Sequence, residues 1–252
     1  MRIGCSLSLA APGRAFSPAR LFADGTAGAW YDFSDRATLF QDAARTVPVT
    51  ASGQTVGGVT DKSGRGNHLS QATAGARPLY TEAGGGRYLV FDGVDDHFTL
   101  ASTLPSVTHW TSIHCFKKPA SGSSFGLTNS VTSAAPWTVQ QTTTSGTFLA
   151  GNDGTNVARN SATPSDQNQV LTGQWAGSSY LTATLRRNGV ALTPIVLSAA
   201  ASNGGGFNRY GARGSARPNQ NDYGFIYIAK QVAPADRDQL ERWLGAKAGL
   251  TW

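Results

Sequence analysis

The stretch from Asp61 to Leu100 constrains the fold more than any other, because it sets two turn-rich corners around a short apolar run. In Asp61-Lys62-Ser63-Gly64-Arg65-Gly66-Asn67-His68, two glycines give the backbone access to positive φ, and short polar side chains can hydrogen-bond neighbouring amides. This predicts a tight loop that satisfies its own polar groups. After Pro78-Leu79-Tyr80 and the Gly84-Gly85-Gly86 break comes Tyr88-Leu89-Val90-Phe91, an aromatic and aliphatic run suited to a buried strand. It ends at Asp92-Gly93-Val94-Asp95-Asp96, and His97-Phe98-Thr99-Leu100 then alternates so that Phe98 and Leu100 share a face. Strand, Asp-rich turn, strand is the pattern of an antiparallel sheet.

The rest of the chain supplies further short strands. Ala29-Trp30-Tyr31-Asp32-Phe33 reads as the first, with Arg36 to Gln41 a turn or helical segment. Thr111 to Lys117 alternates as a core strand, and Phe125 to Leu127, Trp137 to Gln141, Thr147 to Ala150, Asn156 to Arg159 and Val170 to Trp175 are candidates. Asn188-Gly189 between Leu181–Leu185 and Val190–Leu192 is a strong hairpin signal, and Ser198 to Gly206 is a small-residue loop. Tyr223 to Ala229 is a last aromatic, β-branched strand. The period then changes: Leu240, Trp243 and Leu244 fall at i, i+3 and i+4, predicting one closing helix over 234–248. Residues 1–27 lack periodicity and read as an N-terminal arm with a helical turn at Ser17 to Phe22. It leads into one sandwich domain over 28–252. Thirty glycines, 11 prolines and only 14% charged residues agree with many strands joined by polar turns.

A loop of the form D-x-S-G-x-G-N-H followed by F-D-G-V-D-D and a strand resembles the laminin-G-like, concanavalin A-like domains of phage and prophage proteins. The opening AWYDFSDRATLFQDAARTVPVTASGQTVGGVTDKSGRGNH is similar to the phage-associated branch, and the later pieces Leu185 to Val190, Phe207 to Ala212 and Gly224 to Ile228 follow in that family's order. The resemblance implies an all-β, antiparallel two-sheet β-sandwich of jelly-roll form. It also implies a virion structural protein: a tail, fibre or surface component binding host-surface carbohydrate. Other virion proteins and a second copy of the chain would be its partners.

The formal charge of +6 is scattered, with only Lys117-Lys118 and Arg186-Arg187 adjacent, and no nucleic-acid motif accompanies it. An acidic polysaccharide or phosphate-bearing envelope fits such a charge better. Cys5 and Cys115 show no metal-ligand spacing, and Cys115 sits in an apolar run as a buried thiol would. No apolar run reaches the ~20 residues of a membrane helix, and the first residues make a poor signal peptide.

Hydrolysis of a glycosidic bond usually takes two carboxyl groups. The chain has only two glutamates, Glu82 beside a glycine turn and Glu241 in the closing helix, and Asp95 and Asp96 are adjacent and so face opposite ways on a strand. The expectation is therefore a non-enzymatic protein, with an assembly or capsid-decoration role and a polysaccharide-degrading hydrolase as the alternatives. No H-E-x-x-H, G-x-S-x-G or phosphate loop is present. Asp61, Asn67, Asp92, Asp95 and Asp96 offer hard oxygen ligands for calcium, no other cofactor being expected; the competing reading is that they brace turn amides. For stacking and hydrogen bonding to sugar, Trp110 and Tyr210 look least core-like among Trp110, Trp137, Trp175, Tyr210 and Tyr223, with Asn208, Arg209 and Asn221 close in sequence.

Overall fold

The computed structural model describes residues 16–105, 107–118, 124–128, 140–141, 147–151, 157–160, 165–177, 183–193, 195–196, 206–212 and 215–252. Expectations placed on Cys5, Trp137, most of the Ser198 to Gly206 loop and the first part of the arm lie outside these residues.

Eight strands make the principal sheet: β1 (Gly28–Asp32), β2 (Leu79–Ala83), β3 (Gly86–Asp92), β4 (His109–Lys117), β5 (Asn168–Ala176), β6 (Thr184–Arg187), β7 (Val190–Leu192) and β8 (Asn219–Ile228). Their order is β7-β6-β5-β4-β8-β3-β2, and β1 also pairs with β8, every pairing being antiparallel. The hairpin from β6 to β7 turns at Asn188 (φ 50°) and Gly189 (φ 78°), the doubly positive geometry that an Asn-Gly pair adopts most readily. A second layer contains a six-stranded section running Leu127–Thr128, Phe207–Tyr210, Phe98–Leu104, Leu69–Ser70, Gly58–Val59, Leu39–Phe40, and a five-stranded section. One helix, α1 (Pro234–Gly245), follows β8 and continues as a single 3-10 turn, Ala246–Ala248. The protein is an all-β sandwich with a C-terminal helix.

The principal sheet is covered on both faces, which explains why its central strands β4, β5 and β8 are buried along nearly their whole length, polar residues such as Ser112, His114 and Thr172 included. Toward the second layer it presents Tyr31, Phe91, Trp110, Phe116, Phe225 and Tyr227, all buried together with Phe98 and Tyr210. Its other face packs Trp30, Ile113, Cys115, Val170, Ile226 and Ile228 against Leu240 and Leu244 of α1 and against Leu21 and Phe22 of the 3-10 turn Pro18–Phe22. Each such aromatic or aliphatic side chain contributes about 2 kcal/mol on burial. Helix and sheet are also tied by Arg186 of β6, whose Nε donates to the sealed carboxylate of Glu241 at 2.9 Å.

A bulge in β8 changes which residues meet the interior. The register against β4 shifts between Asp222 and Gly224, so Asp222 and Phe225 both point into the sandwich while Tyr223 and Ile226 join the helix side. A β-carbon at Gly224 would lie 2.7 Å from the Tyr31 carbonyl oxygen, so only glycine permits β1 to approach here.

Candidate functional site

The Asp61 loop does what its residue types predict and, in doing so, aims one lysine. Asp61 Oδ1 accepts from the Trp30 and Ser63 amides at 2.9 Å each, and Oδ2 accepts from Ser63 Oγ at 2.7 Å and the Asn67 amide at 3.0 Å. Asn67 Nδ2 donates to the Gly28 carbonyl at 2.7 Å, while its Oδ1 accepts from Ser102 Oγ at 2.9 Å. Gly64 and Gly66 both take φ of +76° to let the loop close. With Asp61 stitched to β1, Lys62 reaches the opposite way, toward the carboxylates that follow that strand.

Asp32 ends β1 and is 2% exposed. Its Oδ1 accepts from Ser34 Oγ at 2.6 Å, and its Oδ2 lies 3.1 Å from Lys247 Nζ and 3.6 Å from Lys62 Nζ. Asp35 caps the short turn Arg36–Thr38 through Oδ1, leaving Oδ2 to meet Lys62 Nζ at 2.5 Å. One ammonium thus holds two carboxylates, whose oxygens are separated by no more than the sum of those contacts, short of the ~6.5 Å where the spacing of inverting glycosidases begins. Burial pushes the Asp35 carboxyl up, but Lys62, aided by the Ala37 amide and Lys247, more than offsets it and holds the group below the usual carboxylate value.

These groups line an open cleft of about 610 Å³ walled by Trp30, Trp243, Gly85 and Arg87. The two tryptophans meet edge to face at 5.5 Å, Lys62 lies over the Trp30 ring at 4.9 Å and Lys247 over the Trp243 ring at 4.6 Å. Trp30 Nε1, buried on a residue of this wall, has no acceptor among the described residues. Carboxylates that accept, ammonium groups that donate and aromatic carbon between them match the amphipathic surface of a polyhydroxylated ligand.

The residues expected to stack on sugar do not form such a surface. Trp110 is 1% exposed and packs edge to face on Trp175 at 6.3 Å, because it lies inside β4 rather than in a loop. Tyr210 is fully buried; its hydroxyl donates to Asp222 Oδ2 at 2.5 Å. Neither offers a ring face to a ligand. Asn208 and Arg209 sit in the second layer, and Asn221 lies in β8 opposite Val90 and Lys117. The calcium set also divides. Asp61 and Asn67 are spent on the amide, hydroxyl and carbonyl contacts above, whereas Asp92, Asp95 and Asp96 place one oxygen each within 4.8 Å of one another. Even there Asp92 Oδ1 accepts from the Val94 amide at 2.8 Å and Asp96 Oδ2 from the Asp92 amide at 3.0 Å, bracing the turn. Burial, reinforced by the charges of Asp92 and Asp95, raises the Asp96 carboxyl to about 6 despite that amide. Asp32, Asp35, Lys62 and Lys247 were not among the residues expected; the one local signal was Tyr31-Asp32-Phe33-Ser34-Asp35, two acids three positions apart at a strand end.

No protein-family profile matches the sequence, and no curated protein does. Solved structures with the same fold do exist. An arabinofuranosidase complexed with arabinofuranosyl-α-1,2-xylobiose is similar at a TM-score of 0.58 and 13% identity, over 92% of this chain and 65% of that one. Domain 4 of AbnA, a GH43 extracellular arabinanase from Geobacillus stearothermophilus in complex with arabinotriose, is similar at 0.58 and 14%, over 85% of this chain and 99% of that domain. A Trypanosoma rangeli sialidase in complex with the inhibitor DANA follows at 0.51 and 9%, over 86% of this chain but only 32% of its own. At such identities the likeness is one of fold. It overturns the expectation of a fold confined to non-enzymatic proteins, since the sandwich is shared with glycoside hydrolases and a sialidase.

Proposed function

We propose that this chain is a carbohydrate-active sandwich working in polysaccharide breakdown, and that the Asp32–Asp35 cleft is where it engages the sugar chain. The observation that carries this reading is Lys62 bridging two carboxylates inside an aromatic-walled cleft. The similarity to domain 4 of the arabinanase, solved with arabinotriose, supports arabinose-containing glycans as the first ligands to try. In this reading Asp35, held ionised, accepts hydrogen bonds from sugar hydroxyls, Asp32 fixes Lys62 and Lys247 so that their ammonium groups can donate, and the partly exposed Trp243 offers the aromatic edge of the cleft. The concanavalin A-like, laminin-G-like form of the sandwich belongs to the same proposal. So does the earlier preference for a glycan partner over nucleic acid.

The test is to incubate the protein with arabinan, arabinoxylan and a sialylated glycoprotein, following bound polymer and released reducing ends in the same samples. Binding together with release, both lost in Asp35→Asn, places hydrolysis in this chain. Binding without release makes the cleft the sugar-holding part of a longer enzyme. No binding to any of the three contradicts the proposal.

A further inference from the structure

The cleft is the middle of three depressions that share walls. On one side, Ser34, Asp35 and Arg87 also line a depression of about 440 Å³ that runs between Arg36-Ala37 and Pro48-Val49-Thr50. On the other, Gly85, Ala246 and Lys247 also line a smaller, more enclosed one of about 140 Å³ beside Tyr223 and Asn168. There the Tyr223 hydroxyl donates to Asn168 Oδ1 at 3.1 Å and Asn168 Nδ2 donates to the Ala248 carbonyl at 2.8 Å, presenting an ordered neutral hydrogen-bonding wall. The outer depression is bounded instead by two guanidinium groups, Arg36 and Arg87, which share the single carboxylate of Glu82 at 3.5 and 3.6 Å.

We propose that the three form one groove that takes an internal run of a glycan chain, several sugar units long, with the Asp32–Asp35 pair at its middle. This rests on the reading of the cleft as a sugar site and adds how the substrate lies. A pocket for a chain terminus is closed behind the terminal ring; here the central cleft shares three lining residues with each of two further depressions, which share none with each other. The two outer depressions then act as specificity-determining subsites, distinct from the carboxylate pair.

The experiment uses calorimetric titration of the whole chain with arabinose, arabinobiose, arabinotriose, arabinohexaose and linear arabinan. Alongside it run two plugging variants at exposed residues that lie outside the carboxylate cluster, Thr50→Trp and Ala83→Trp. Affinity is expected to climb with length from arabinose to arabinohexaose. Each plug is expected to weaken arabinohexaose about tenfold, the loss of one well-made subsite, while leaving arabinobiose unchanged. Circular dichroism checks that both variants fold. Affinity already complete at arabinobiose, or plugs that weaken short and long ligands equally, overturns the groove and leaves the cleft standing. Absence of binding by every ligand, polymer included, overturns both.

Discussion

Two aspartates in β1 and β8 are almost equally sealed from water, Asp222 at 0% and Asp32 at 2% exposure, yet they occupy opposite kinds of site. Asp222 Oδ2 accepts from Tyr210 Oη at 2.5 Å and Gln220 Nε2 at 2.6 Å and lies 3.0 Å from His114 Nε2, all inside the sandwich. Every partner of that carboxylate is itself buried. Asp32, across the register from Gly224, is instead satisfied by two lysines whose side chains are 24% and 28% exposed and which face an open cleft. Burial of the acid alone therefore does not distinguish architecture from function. What lies beyond the partners does: closed aromatic packing in one case, an open cleft in the other.

The sharpest way to break this contrast is to remove each acid. Asp222→Ala leaves three buried polar side chains without their shared acceptor and is expected to cost about 3–5 kcal/mol in urea unfolding, with any loss of sugar binding tracking the unfolded fraction. A cost below ~1 kcal/mol would mean the network is not architectural. A third acid, Asp96, sharpens the scale because it is buried among like charges rather than beside cations. Its folded-state carboxyl is raised from 3.8 to about 6, so the folded chain keeps a proton that the unfolded chain has already released. The Asp96 contribution to stability should fall as pH rises through that window, by on the order of 2 kcal/mol, and stay level above it. Asp96→Asn, which still accepts from the Asp92 amide, should flatten the slope in melts run across the window. Asp32→Asn is expected to have the smallest effect on folding, because the amide oxygen still accepts from Ser34 Oγ and both lysines reach water when freed. Its sugar affinity should nonetheless drop about tenfold or more, the reverse of the Asp222 pattern.

Local chemistry made much of the fold legible. Tyr88 to Phe91, Thr111 to Lys117, the Asn188-Gly189 turn and the helical spacing of Leu240, Trp243 and Leu244 all act through neighbours a few residues away, and each lies in the element expected. Trp110 misled because Thr108 and His109 resemble a loop, whereas β4 begins at His109 and pairs along its whole length with β5. Tyr210 misled for a different reason: its partner Asp222 is polar, and nothing in a local window shows that a bulge turns that aspartate inward. The cleft was illegible for the most general reason. Asp32 meets Lys247 across 215 positions, and Lys62 meets Asp35 across 27, so each residue by itself looks like an ordinary surface charge until the sheet, loop and helix are assembled.

Under the proposed function, sugar is engaged at the Asp32–Asp35 cleft and not on the second layer. Hydrogen–deuterium exchange with and without saturating arabinohexaose tests it most directly. Slowed exchange is expected in peptides covering residues 30–36, 84–88 and 243–249, with no change over 207–210. Protection centred on 207–210 and Asn221, or none anywhere, would contradict it.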